Sequence, residues 1–434
     1  MYWVPRPIPV GEGRAAIIER ASGPPIGAPA GPRGSTLQIE TFGVARPGER
    51  EILNGCRGLR VLVLSARFGG GHKSTAEALA SWWDQSGAGC QVRVLDYYDE
   101  FVSSWISEAA SVGYTQSVRL FPVGYRMFYD LTSQLKPDSP AQQWLNRLGR
   151  EEFATYLAQE PADVIVAVHP TPCGALSDLR RQGRLSVPVV TVVTDYVVHS
   201  QWIHPGTDLY LVGSVPVRDG LIQRGVPPDR VRVTGIPIQV NEKLLSQREA
   251  LREKWDLKPG LPTVLVMTGA QGLMRRPWRL FHTVASRPLQ GFFLCGRDRA
   301  LEARLQLWAS RYPDFRVLRF VRIVPELMCV SDVLVSKAGG LTTSESLAME
   351  LPMILFHPIP GQEYANRDYL VAAGAAVTAN HLGELGSILD EFCRDPEKLA
   401  AMKAATRRIR RPHAARDACL EVLQLWHERE RWAA

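Results

Sequence analysis

From Leu59 onward, short apolar runs alternate with helix-patterned stretches, and the chain does this in two successive series. The first series places apolar runs at residues 60–66, 91–95, 163–168, 189–193 and 209–212. The second follows Gly235-Ile236-Pro237 and places them at 263–267, 291–294, 316–320, 333–335, 353–356 and 376–378. Runs this short without a polar face suit strands buried on both sides. Strands alternating with helices build parallel sheets covered on both faces. The fold class is therefore α/β, with two Rossmann-like halves at 59–238 and 239–412. Ligands of such sheets sit beyond the carboxyl ends of the strands, so two facing sheets make a cleft. A last helix within 413–434, after Pro412, is expected to fold back over the junction. Residues 1–58 are rich in Gly, Pro and Ala without a sustained period, which reads as a disordered or loosely attached tail. A misassigned start codon is the alternative.

At 434 residues the chain has room for two ordinary domains. No apolar run approaches the roughly 20 residues that span a bilayer, and no basic-then-apolar leader opens the sequence. The seven cysteines form no CxxC pair, which argues against a disulfide framework or a zinc site and for a reducing compartment. The net charge of +7 concentrates in Lys403, Arg407, Arg408, Arg410, Arg411 and Arg416. That run reads as a solvated helix face or as attraction to anionic lipid head groups. Without interleaved aromatics it does not read as a nucleic-acid surface. Residues 101–135 hold Trp105, Tyr114, Phe121, Tyr125, Phe128 and Tyr129 with Arg119 and Arg126. They suit a core helix pair or an amphipathic surface at a membrane interface.

The chemistry concentrates in Ser336-Lys337-Ala338-Gly339-Gly340-Leu341-Thr342-Thr343-Ser344-Glu345, between a strand and a helix. A strand that breaks at glycines and opens into a helix presents bare amide N–H groups to an anion. Gly339, Gly340 and Thr342 are read as the diphosphate cradle, with Leu341 in the same donor site. Glu345, expected in the first turn of the helix, can accept hydrogen bonds from ribose hydroxyls. After the next strand, Pro360-Gly361-Gln362-Glu363 offers Gln362 and Glu363 to hexose hydroxyls. Gly269-Ala270-Gln271-Gly272, after the first strand of the second half, is where a loop can close over a diphosphate or sugar, which offers Gly269, Gln271 and Gly272 to the same donor site. In the first half, Gly70, Gly71 and His72 open a helix expected over 73–83. Imidazole titrates near neutrality and suits a general base; a helix-capping His72 is the alternative. Asp195, His199 and Trp202 follow a strand and could converge on the cleft. A third strong ligand at metal spacing is missing there, so no metal site is assigned.

These motifs together resemble the processive diacylglycerol glucosyltransferases and the plant-type monogalactosyldiacylglycerol synthases. That family belongs to the superfamily holding the peptidoglycan N-acetylglucosaminyl transferase that acts on a polyprenyl lipid. The resemblance spans residues 60–412. It rests on Phe68-Gly69-Gly70-Gly71-His72, Thr194-Asp195-Tyr196 with His199 and Trp202, Gly235-Ile236-Pro237-Ile238, the glycine loop at Gly269, the Lys337-to-Glu345 loop, and Gly361-Gln362-Glu363 with Asn366. Ala338 departs from the family, where proline is common. The resemblance implies a GT-B fold, a UDP-sugar donor on the second half with its uracil against the backbone from Val321 to Ile323, and a lipid acceptor on the first half at an anionic membrane surface. It also implies inversion at the anomeric carbon without a catalytic metal or cofactor. His72 is then the leading base, Asp195 a supporting or alternative one, and Gly70, Gly71, His199 and Trp202 lie on the acceptor side. The expected location is cytoplasmic, peripheral on the inner face of the cell membrane. Competing readings are a polyprenyl-lipid transferase, a UDP-sugar 2-epimerase-like isomerase and a non-catalytic nucleotide-sugar sensor. Glucose versus galactose, the exact acceptor and the oligomeric state are left open.

Overall fold

A computed structural model describes residues 47–66, 70–104, 108, 127, 131–133, 139–241, 243–269, 277–359 and 361–433. Gln271, Gly272, most of the 101–135 segment and the tail before residue 47 lie outside them.

Among the described residues, twelve strands form two six-stranded sheets, and every pairing is parallel. The first holds β1 (Arg60–Ser65), β2 (Gln91–Asp96), β3 (Val164–Ala167), β4 (Val189–Val192), β5 (Leu209–Val212) and β6 (Val231–Val233), in the order β2-β1-β3-β4-β5-β6. The second holds β7 (Thr263–Met267), β8 (Gln290–Leu294), β9 (Phe315–Leu318), β10 (Val333–Ser336), β11 (Met353–Phe356) and β12 (Ala376–Ala379), in the order β12-β11-β10-β7-β8-β9. Each order reverses once, at β1/β3 in the first sheet and at β7/β10 in the second. Crevices at such reversals are where ligands of open α/β sheets bind.

Alternation along each strand divides its residues between two cores. On β1, Leu62 and Leu64 enter one buried cluster while Val61 and Val63 enter another on the opposite face. On β10, Leu334 faces one cluster while Val333 and Val335 face the other. This is why the central strands read as unbroken apolar runs. The edge strand β2 is largely exposed instead.

Three sequence expectations shift. β6, Val-Arg-Val at the sheet edge, is too short and too polar to stand out as an apolar run. β9 ends at Leu318, which leaves Arg319 and Phe320 in the following loop. Ordered structure also begins before residue 59, with a helix at Pro47–Asn54 whose Leu53 is buried together with Cys56. The last helix, Ala414–Ala433, packs on the Gly70–Ser86 helix of the first half. Its Ala415, Ala418, Cys419, Val422 and Leu423 recur at helical spacing and share one core with Leu79, Trp82 and Trp83.

Candidate active site

At the β7/β10 reversal, the loop after β10 enters the helix Gly340–Ala348. Gly339 occupies the N-cap position and makes no side-chain cap bond, so the first-turn amides are open to an anion. Because the helix starts at Gly340, Glu345 lies in its second turn, not its first. Its half-buried carboxylate has no hydrogen-bond or ion-pair partner among the described residues. Burial alone pushes its pKa up to about 7. A carboxylate so held gains from donors that arrive with a ligand.

Gly269, at the end of β7, has a φ of +84° and lies against the Lys337 side chain. Lys337 Nζ is 3.3 Å from Glu363 Oε1, and both side chains are largely buried. Glu363 Oε2 accepts the Ile359 N–H at 2.7 Å. Both Glu363 oxygens are thus engaged within the protein, leaving Gln362 beside it as the neighbour at the helix start. Gly361, with φ of 101°, supplies the left-handed turn that starts the Gln362–Ala372 helix. Val321 packs partly on the core after β9, while Ile323 is exposed at the start of the Val324–Val330 helix. Leu341 is half-buried against the same core, and Thr342 is half-buried beside it.

At the β1/β3 reversal, the Gly70–Ser86 helix begins earlier than the expected residue 73, which puts His72 in its first turn. His72 Nδ1 is 2.7 Å from the Val168 carbonyl oxygen. A carbonyl can only accept, so Nδ1 carries the proton and Nε2 keeps its lone pair. Thr194 Oγ1 is 3.2 Å from the same Nδ1. The His169 ring meets that of His72 edge-on at 4.8 Å. Burial pushes the His72 pKa down to about 4 against the Val168 bond, so the ring is neutral at pH 7. Asp195 is pushed up to about 6, chiefly by burial, with Asn366 holding it down and Glu363 adding to the rise.

The acceptor-side residues divide. Gly70 is exposed, and a Cβ placed on Gly71 would lie 3.8 Å from Leu341 Cβ, so this turn faces the second half. His199 is buried: Nδ1 accepts the Gln201 N–H at 3.2 Å and Nε2 lies 3.3 Å from Thr132 Oγ1. Trp202 is buried in the first-half core. Those two side chains hold the loop after β4 in place.

Several residues that the sequence reading gave no role hold the halves together. Tyr196 O–H pairs with Ser344 Oγ at 2.9 Å, and its ring stacks on Tyr369 at 4.8 Å. Asn366, fully buried, contacts Asp195, Tyr196 and Ala338. The signal was present: Glu363, Asn366 and Leu370 recur at helical spacing as the buried face of one helix, and a polar residue on a buried face needs partners. The C-terminal basic cluster is partly spent on structure. Arg407 and Arg410 both pair with Glu350, and Arg416 pairs with Glu49. Among the described residues, no helix is long and apolar enough to cross a membrane, and no group of three or more His, Cys, Asp or Glu could hold a metal ion.

The chain superposes on MurG of Acinetobacter baumannii with a TM-score of 0.56 at 16% identity, over 84% of this chain and 99% of that one. It also superposes on the UDP-GlcNAc 2-epimerase of Neisseria meningitidis bound to UDP-GlcNAc, with a TM-score of 0.53 at 12% identity, over 84% of this chain and all of that one (100%). Two parallel Rossmann-like sheets on this plan define the GT-B fold. Residues 72–238 match the family described as monogalactosyldiacylglycerol (MGDG) synthase, and residues 262–417 match the glycosyltransferase family 28 C-terminal domain. A processive diacylglycerol beta-glucosyltransferase of Bacillus cereus is 31% identical over 82% of this chain and 91% of its own length. The chain belongs to this family of glycolipid-forming glycosyltransferases, within glycosyltransferase family 28.

Proposed function

We propose that the protein moves a hexose from a UDP-sugar to the hydroxyl of a membrane lipid, diacylglycerol by preference, with inversion at the anomeric carbon. The observation that carries this reading is the fixed tautomer of His72, whose helix opens against the Gly340–Ala348 helix of the second half. Amides of the second helix take the diphosphate, and Glu345 takes the ribose. His72 Nε2 removes the proton from the lipid hydroxyl as its oxygen attacks the anomeric carbon. The bond from that carbon to the diphosphate oxygen breaks, and UDP leaves with the electron pair. The bare ring is a weak base. The negative diphosphate beside it raises its basicity once the donor is bound, so the base strengthens when it is needed. Helix amides stabilise the leaving group in the position where a metal ion would otherwise serve.

A lipid acceptor is supported by the names of the relatives and by Met127, Leu131 and Trp144, exposed apolar side chains of the first half. Peripheral attachment on the cytoplasmic face of the membrane follows from that reading. Incubation with labelled UDP-glucose, UDP-galactose and UDP-N-acetylglucosamine, with and without diacylglycerol vesicles, tests it. A labelled glycolipid of inverted anomeric configuration is expected. Epimerised UDP-sugar without lipid product would favour the isomerase reading, and UDP-sugar binding without any product the sensor reading.

A further inference from the structure

Residues 194–196 of the first half meet the second half one after another. A Cβ on Gly340 would lie 2.1 Å from the Thr194 carbonyl oxygen, so the loop after β10 sits directly on this backbone. Tyr196 reaches Ser344 and Tyr369. Between them Asp195 meets Asn366, whose side-chain orientation is fixed by what surrounds it. Its Oδ1 accepts the Tyr196 N–H at 2.8 Å, and its Nδ2 donates to the Ala338 carbonyl at 2.9 Å. An N–H can only donate and a carbonyl can only accept, so the amide cannot be turned over. Its remaining Nδ2 proton is left for Asp195 Oδ1, at 3.3 Å.

We propose that Asn366 is a positioning residue that ties the Asp195 carboxylate to the apposition of the two halves. With the halves together, Asp195 receives the Nδ2–H bond; as they part, the tie from Asn366 to the first half is lost. The groups facing Asp195 make this bond consequential. Burial disfavours its charged form and Glu363 adds to that, while Lys337 is already paired with Glu363. His72 is linked to the preceding Thr194 and is neutral. Asn366 alone among the resolved influences favours the carboxylate. In the joined state Asp195 stays available near neutral pH to orient a hydroxyl or the base. In the parted state that bond is absent, and the carboxylate is no longer held in one orientation by Asn366. The inference rests on the transferase reading for its use in turnover, but not for the link itself.

Asn366→Ala and Tyr196→Phe in the full chain test it, each followed by turnover against pH, UDP titration and melting against pH. Asn366→Ala should move the acid limb of the rate profile upward by about one pH unit. Tyr196→Phe loosens the same contact without touching Asn366 or Asp195, and should also displace the limb, by less. A Tyr196→Phe limb left in place means that the bond is local and not coupled to apposition. An Asn366→Ala rate lowered equally at every pH means that Asn366 is structural only. Melting decides the matter without turnover. A raised Asp195 pKa makes stability fall as pH rises from the unfolded value toward the folded one. That fall should extend to higher pH in Asn366→Ala and vanish in an Asp195→Asn background. Persistence of the shift in that background would overturn the link. Absence of any transferase activity in the wild type would sink the proposed function and leave the melting result to stand on its own.

Discussion

The two chain reversals use one backbone device for opposite purposes. At β1/β3 the helix opens with His72, and the ring is tied to its own half through Val168 and Thr194. At β7/β10 the helix opens on bare glycine, and Glu345 one turn further has no partner among the described residues. One end holds an imidazole whose Nδ1 is tied to a carbonyl; the other holds a half-buried carboxylate without a partner among the described residues. Catalysis at the first should therefore be sensitive to chemistry, and binding at the second to hydrogen-bond count.

The hardest test of this contrast is His72→Ala. Turnover on lipid acceptor should fall by about 10²–10⁴-fold, with UDP affinity nearly unchanged. A mutant that keeps more than about a tenth of wild-type turnover would remove His72 as base and move attention to Asp195. A large loss of UDP affinity would instead mean that the first reversal also serves the donor. Next in size is Glu345→Ala. Losing two ribose bonds to a charged acceptor should weaken UDP binding by about 2–4 kcal/mol in calorimetry. Unchanged affinity in a folded variant would take Glu345 out of the site.

Gly340→Ala sharpens the comparison where the two ends touch. The added methyl meets the Thr194 carbonyl, so the halves must separate or the loop must shift. A loss of about 1–3 kcal/mol is expected for such overpacking, seen as a lower melting temperature and reduced turnover. The smallest effect is in pH. With the Glu345 carboxyl raised to about 7, UDP binding must draw it into the charged form, so binding releases a proton below that pH. Affinity should rise with pH through about 7 and then level off. Glu345→Gln should remove that component and leave the titration of UDP itself. An identical pH profile in the two proteins would mean that the ribose does not meet this carboxylate.

The pattern of what was legible in the chain follows the same division. Strands such as Val164–Ala167 and Met353–Phe356 are buried on both faces and were readable as apolar runs. Val231–Val233 was not, because an edge strand needs no second apolar face. Local motifs exposed Gly339, Gly340 and His72 because their geometry depends on near neighbours in the chain. Asn366 and Tyr196 stand 170 residues apart, and no local period records that they touch. The same holds for Lys337 and Glu363, 26 residues apart, whose pairing occupies a carboxylate that the motif alone offers to the sugar. Glu345 was placed one turn too early because the helix start at Gly340 depends on packing against Thr194 as well as on the glycine pair.

The last helix changes the order in which the molecule can be made. Cys419, Val422 and Leu423 complete a core whose other side is Val61, Val63 and Leu79. During synthesis, β1 to β6 leave the ribosome long before that helix exists, and the second sheet emerges in between. The second half can mature first, while the half carrying His72 waits with one apolar face uncovered. The first half thus reaches its finished form only when the second already stands beside it.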